Sequence, residues 1–305
     1  MKYLDIADTE MKASEIALGC MRIAQMPDQE ISTLVHTAID NGINFFDHAD
    51  IYGGGQAEAR FAEALDWKSG LRETIILQTK CGIRNGMFDF SKEHILASVD
   101  GSLKRLQTDY LDILLLHRPD TLVEPEEVAT AFSELEQSGK VRHFGVSNQH
   151  PMQIALLKRF VPQPLLFNQL QFSITNTGMI DSGLNVNMQN AASIDHDGGI
   201  LDYCRLNNIT IQPWSPFQHG CFGGAFIGNA KFPELNAVLD TLAEKHGISP
   251  SAMAIAWILR HPARMQPIIG TTNPKRVRDI SKASQVTLSR AEWYEIYRAA
   301  GNTLP

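Results

Sequence analysis

Residues 111–117 read Leu-Asp-Ile-Leu-Leu-Leu-His, followed by Arg118 and Pro119. A strand with one wet face alternates apolar and polar residues. This one is apolar almost without a break, as expected of a strand covered on both faces. Upstream, residues 91–106 carry a helical pattern opened by Ser91, with Glu93 and His94 in the first turn, a fair N-cap region. Downstream, residues 125–138 carry another, with Glu126 and Glu127 early and Gly139 just beyond, as the helix dipole and the C-terminal preference for glycine favour. A doubly covered strand between two helices is the repeating unit of a parallel sheet.

Outward from this unit the pattern repeats. Strands are expected at 16–19, 43–47, 74–79, 111–117, 141–147, 166–169, 209–214 and 267–269. Helices are expected at 32–41, 56–67, 91–106, 125–138, 150–160, 199–207, 249–261 and 273–283. Eight strand-then-helix units in 305 residues suit one closed barrel better than two open sheets. The expected fold is therefore α/β: a single (β/α)8 TIM barrel over residues 1–305. Two extra helices are expected at 233–246 and 288–300, and long βα loops at 172–197 and 217–232, the latter holding Gly220, Gly223, Gly224 and Gly228. Long loops in compact domains are usually functional or disordered, and in a barrel those after the strands make the active-site face.

Hydrophobic residues make up 44% and charged residues 20%, ordinary for a globular chain able to bury about three quarters of its unfolded surface. The net charge of −7 disfavours non-specific binding to nucleic acid or anionic membrane. No stretch reads as a signal peptide or a membrane span, so a cytoplasmic protein is expected. Cys20, Cys81, Cys204 and Cys221 form no Cys-x-x-Cys pair and no zinc spacing, and are expected as free thiols.

Polar residues recur where the strands end: Asp47, Lys80 and His117, with Tyr52 five residues after Asp47 in the following loop. In a barrel these positions converge on one mouth. Singly, each has an ordinary explanation: a turn aspartate, a solvated lysine, a satisfied histidine, a packed tyrosine. Together they suit proton delivery to a carbonyl. A tyrosine has a pKa near 10, which a nearby ammonium lowers. A buried lysine needs the counter-charge an aspartate supplies, and a histidine can orient a carbonyl oxygen. The hydride must then come from a cofactor.

The ordered set Phe46-Asp47-x4-Tyr52-Gly53, Lys80, His117, Gly145-Val146-Ser147-Asn148, Gln169, Trp214-Ser215-Pro216 and Ile269-Gly270-Thr271-Thr272-Asn273-Pro274-Lys275-Arg276 resembles the aldo/keto reductases, in particular their bacterial NADPH-dependent oxidoreductases. The resemblance spreads over nearly the whole chain, about residues 16 to 300. It implies reduction of an aldehyde or ketone with NADPH/NADP+, Tyr52 acting as general acid, Lys80 tuning it, Asp47 pairing with Lys80 and His117 orienting the carbonyl. Ser147, Asn148 and Gln169 would hold the nicotinamide carboxamide. Trp214, where many relatives have tyrosine, would stack on the ring. Ser215, Pro216, Phe217 and Gly220 would wrap the pyrophosphate. Gly270, Thr271, Thr272 and Asn273 lead into a helix N-terminus, a favourable anion site, and Arg276 would grip the 2′-phosphate. Gly270 and Thr272 are neutral where many NADPH-specific relatives are basic, so NADH stays open beside NADPH. Gly19, Met21 and Arg22 would reach the nicotinamide ribose. Met21, His48, Phe88, Phe172 and Phe222 are candidates for lining the substrate pocket.

Two other readings compete. Asp47, His48 and Asp50 are spaced as metal ligands of a barrel hydrolase, but the neighbouring strand ends offer lysine, amides and tryptophan instead of further ligands. A cofactor-sensing regulatory subunit would want an interaction tail, and the first strand is expected by about residue 16. The expected partner is a small carbonyl compound, with no resident metal, no nucleic acid and no membrane, and a monomeric or weakly oligomeric chain.

Overall fold

A computed structural model describes the whole chain except Asp8, Cys221, Phe222 and the side chain of Lys68. Eight parallel strands form the barrel: β1 (Ala17–Gly19), β2 (Phe45–Asp47), β3 (Ile76–Cys81), β4 (Leu111–Leu116), β5 (Val141–Ser147), β6 (Leu165–Gln171), β7 (Thr210–Trp214) and β8 (Ile268–Ile269). Hydrogen bonding runs in the order β7-β6-β5-β4-β3-β2-β1-β8. The circle closes where the Gln266 N–H, just ahead of β8, donates to Ile211 O of β7 at 2.9 Å. This is the expected (β/α)8 barrel.

The outer ring comprises α1 (Asp28–Asp40), α2 (Gln56–Glu63), α3 (Lys92–Leu106), α4 (Pro125–Gln137), α5 (Pro151–Phe160), α6 (Ile200–Leu206), α7 (Pro250–Leu259) and α8 (Pro274–Ser281). Both extra helices are present, at Pro233–His246 and Arg290–Ala299. Among the described residues no helix is long and apolar enough to cross a membrane.

The unbroken apolar run of β4 has its expected cause. Ile113 and Leu115 point into the barrel, while Leu114 and Leu116 pack outward under the helices. The interior apolar cluster also holds Ala17, Phe45, Phe167 and Ile268, and it is plugged by Ile6 and Ala13. Ala13 belongs to an unexpected N-terminal hairpin, Tyr3–Asp5 paired antiparallel with Lys12–Ser14. Three residues per arm leave too short a pattern to read.

Other boundaries shift for local reasons. The third strand begins at Ile76 instead of Thr74, because Arg72–Thr74 forms a 3-10 turn held by buried Arg72, which pairs with Asp112 at 2.9 Å. The loop after β6 contains a further helix, Gly178–Leu184, tied to the C-terminal helix by Tyr297 Oη donating to Asp181 at 2.6 Å. A second tie is aromatic: Phe172 stacks on Trp257, and Trp257 on Trp293 at 4.8 Å between ring centres.

Candidate active site

The hydrogen-bond ladder of the barrel continues past the strand ends. Cys20 N–H donates to Asp47 O, His48 N–H to Gln78 O, Asp50 N–H to Lys80 O, His117 N–H to Cys81 O and Asn148 N–H to Gln169 O, all at 2.8–3.0 Å. The first residues of these loops are thereby tied to a neighbouring strand, and four loops are drawn together at one mouth. Tyr52 opens a 3-10 turn, Tyr52–Gly55, in which Gly53, Gly54 and Gly55 all have positive φ (59°, 65° and 91°). Only glycine adopts three such conformations in a row without strain. The turn is therefore a specific left-handed one.

Lys80 is completely buried and has all three ammonium hydrogens engaged. It donates to the Asp47 carboxylate at 2.8 Å, to His48 O at 2.6 Å and to Tyr52 Oη at 3.1 Å. The Tyr52 and His117 rings stand edge to face with centres 6.0 Å apart. The four residues picked out at separate strand ends and loops therefore meet.

Asp47 rests on a layer of amides of which sequence reading named only Gln169. Its carboxylate accepts from Gln78 Nε2 at 2.6 Å and Gln169 Nε2 at 3.1 Å. Both amides also donate to Gln212 Oε1, which hands on through Gln266 to Ser14 O. A signal existed: Gln78 is two residues from Lys80 and Gln212 two from Trp214, and residues two apart share a strand face. Behind the tyrosine loop lies a second buried cluster. Glu58 of α2 accepts from Thr79 Oγ1 at 2.5 Å and pairs with Arg105 at 2.7 Å. The Arg105 chain lies against Gly55, where a Cβ would come within 2.9 Å of its Cδ.

Burial dominates the electrostatics. It pushes the Tyr52 phenol above its ordinary pKa; the Lys80 charge opposes this without reversing it, and Asp47 reinforces it. The expected net lowering by Lys80 is thus not found, because burial outweighs that ammonium and Asp47 adds to the rise. Burial pulls Lys80 down, but Asp47 and Tyr52 outweigh it and hold the ammonium above its ordinary pKa. His117 is pulled down to about 2 by burial, then by the charges of Lys80 and Arg118, so it is a neutral imidazole.

The remaining candidates lie on the rim. Ser147 Oγ donates to Gln169 O at 3.0 Å and receives Asn148 Nδ2 at 2.7 Å. Asn148 Oδ1 accepts from Trp214 Nε1 at 3.1 Å. Ser215 has left-handed backbone (φ 52°), leading into Pro216, Phe217 and Gly220, whose carbonyl accepts from Gln171 Nε2 at 2.6 Å. Gly270, Thr271, Thr272 and Asn273 join β8 to α8, and Asn273 caps that helix through Lys275 N–H. Lys275 and Arg276 stand exposed there, without an ion-pair partner among the described residues. A nicotinamide nucleotide fits this rim. Gly220 and Gly270 face open space, where an added Cβ would meet nothing within 4 Å. Gly19 ends β1 in register with Asp47, and Met21 and Arg22 follow it, both exposed.

Two pocket candidates are corrected. His48 has no accessible surface; its ring packs edge-on against Phe61 at 4.6 Å, with both ring nitrogens unpartnered among the described residues. Phe172 is core, stacked on Trp257. Met21 and Phe88 are exposed, Phe88 on the hairpin Ile83–Arg84/Met87–Phe88, and Phe222 lies outside the described residues. Cys20, Cys81 and Cys204 are buried free thiols, and Cys221 also lies outside. Among the described residues, no three His, Cys, Asp or Glu side chains group as metal ligands.

Comparison with known proteins agrees with this geometry. Residues 15–300 match the aldo/keto reductase family. The chain is 36% identical to the uncharacterized oxidoreductase YcsN of Bacillus subtilis and 34% identical to a 6-dehydroglucose reductase of Agrobacterium fabrum, each match covering 98% of both chains. In fold it is similar to the crystal structure of the thermostable aldo-keto reductase Tm1743 in complex with the inhibitor epalrestat, with a TM-score of 0.78, 24% identity, and 98% of this chain and 100% of that one covered. With the barrel and its mouth in place, the match across nearly the whole chain decides its membership: this protein belongs to the aldo/keto reductase family.

Proposed function

We propose that the chain reduces aldehydes or ketones with NADPH, Tyr52 delivering the proton, and that it does so in the cytoplasm as a monomer or weak oligomer. The observation that carries the proposal is the buried ammonium of Lys80 held between the Asp47 carboxylate and the Tyr52 phenol.

NADPH supplies the hydride. Tyr52, with its raised pKa, is protonated at neutral pH and able to give its proton to the carbonyl oxygen. Lys80 then stabilises the phenolate left behind, and Asp47 with its amide layer keeps the ammonium aimed. In the alcohol-oxidising direction the same phenolate takes the proton back. Neutral His117 donates a hydrogen bond to the carbonyl oxygen and orients it. Ser147, Asn148 and Gln169 would hold the carboxamide. The Gln169 N–H₂ already serves Asp47 and Gln212, so its carbonyl oxygen is the atom left to accept from the cofactor. Trp214 would stack on the ring, with its edge fixed by Asn148. Ser215, Pro216, Phe217 and Gly220 would surround the pyrophosphate, and Gly19, Met21 and Arg22 the ribose. Gly270, Thr271, Thr272 and Asn273, at the α8 N-terminus with Arg276, would receive the 2′-phosphate.

The test is loss of NADPH absorbance against a carbonyl panel that includes a sugar aldehyde, chosen because a relative is a 6-dehydroglucose reductase. NADH runs in parallel. Turnover with NADPH is expected; no oxidation of either nucleotide with any aldehyde or ketone would defeat the proposal.

A further inference from the structure

Arg118 follows His117 directly, and its guanidinium carbon lies 5.6 Å from the centre of the Trp214 ring. The residue is half-buried. Among the described residues no carboxylate, carbonyl or hydroxyl accepts from it; the face of Trp214 is its neighbour. Several other arginines around the barrel are paired: Arg72 with Asp112, Arg84 with Asp89, Arg105 with Glu58 and Arg60 with Asp28. A half-buried cation loses hydration and needs something in return. Its charge also acts on His117, the residue before it in the chain.

The cofactor's phosphates are a poor match for this guanidinium. In the function proposed above, they belong to the loops after β7 and β8 and to Arg276. Arg118 follows β4, four strands from β8 and three from β7 around the barrel, and its neighbour on β7 is the Trp214 ring. His117 and Trp214 bracket the place where the reacting carbonyl would sit, and Arg118 stands beside both. A guanidinium is a planar fork that matches two oxygens side by side.

We propose that Arg118 is a second anchor for the substrate, receiving a pair of oxygens, a vicinal diol or a carboxylate, carried close to the carbonyl that is reduced. The inference rests on the carbonyl-reductase reading. It assigns the enzyme oxygen-rich aldehydes or ketones in preference to simple aliphatic ones.

Three aldehydes test it: butyraldehyde, glyceraldehyde and succinic semialdehyde, which carry respectively no further oxygen, a diol and a carboxylate. The wild type is expected to show a higher kcat/KM for glyceraldehyde or succinic semialdehyde than for butyraldehyde. Arg118→Ala should lower that ratio about tenfold or more, as loss of a charged hydrogen-bonding partner does. Arg118→Lys keeps the charge without the fork, so it separates the two sources: preference for a carboxylate survives, preference for a diol is lost. NADPH affinity, read by fluorescence quenching, stays at the wild-type value. No preference in the wild type, equal losses on all three aldehydes in Arg118→Ala, or weakened NADPH binding would each overturn the assignment. If the wild type turns over none of them with NADPH, the carbonyl-reductase reading fails separately. Calorimetric binding of glycerate then decides for Arg118, and equal affinity in wild type and Arg118→Ala overturns it.

Discussion

Lys80 Nζ lies 3.1 Å from Tyr52 Oη although the two residues arise from different strand–loop units, and the contact exists only because the barrel turns both toward its axis. Replacing Tyr52 by Phe removes the transferable proton and little else. We expect Tyr52→Phe to lower carbonyl reduction by about 10²–10⁴-fold, the usual worth of a positioned acid, while NADPH binding is kept. Steady-state rates together with cofactor fluorescence check this, and full activity in the variant removes Tyr52 from the mechanism. Lys80→Met is a less clean probe. It strands Asp47 as an uncompensated buried charge, a change that typically costs about 3–5 kcal/mol of stability.

His48 and His117 make the barrel acid-sensitive. Burial, then the charge of Lys80, holds His48 down at about 3, against 6.5 for a free histidine. Between those values the unfolded chain binds the proton and the folded chain does not, so stability falls as pH drops below 6.5. Only the backbone carbonyl of His48 serves Lys80; its ring is packing. We expect His48→Leu to gain stability over the wild type as pH falls from 6.5 toward 4, by about 1.4 kcal/mol per pH unit at most. Urea denaturation at several pH values measures it. A stability difference that does not change with pH would mean His48 is protonated in the folded state.

The repeating unit was legible because both faces of each strand are buried, as the sequence 111–117 shows on sight. The tetrad was legible because its members sit at strand ends, where barrel topology alone makes them neighbours. What stayed hidden depended on direction, not position. His48 follows Asp47 and looked like a pocket residue, yet one step along a strand end reverses the side chain, sending it outward to Phe61. Gln78, Gln212 and Gln266 are ordinary surface types one at a time; their mutual bonds appear only when three strands are brought into register. The sign of the Tyr52 shift was hidden for a related reason. It is a balance between burial and two opposed charges, and sequence reveals the charges without the depth.

Arg276 and Lys275 stand in the first turn of α8 beyond the Asn273 cap, exposed and unpaired among the described residues. A fork there gains most from a second phosphate and little from a free ribose hydroxyl. Arg276→Ala is expected to weaken NADPH binding about tenfold or more and NADH binding far less. Paired Kd measurements decide; equal losses for both nucleotides place the 2′-phosphate elsewhere.

Asp50 is the acidic counterpart of His48. It hangs beneath the tyrosine loop with one carboxyl oxygen buried and unpartnered among the described residues. Burial, then the neighbouring Glu58, lifts its pKa from 3.8 to about 7; Arg105, Ser98 and the Ile51 N–H oppose the rise without cancelling it. The folded chain therefore holds a proton that the unfolded chain releases. Stability contributed by the neutral carboxyl is present below pH 3.8 and is lost as pH rises through about 7. Asn mimics the neutral carboxyl in shape and cannot ionise. We expect Asp50→Asn to match the wild type in acid and to become progressively more stable than it as pH climbs toward 7, the difference levelling off above. The same titration sits two residues from Tyr52, so deprotonation should also loosen the loop that carries the phenol. Melting temperatures of the two proteins across pH 4 to 9 supply the check. A stability gap that stays constant from pH 4 to 9 would show that Asp50 is ionised throughout and that Arg105, not Glu58, governs its charge.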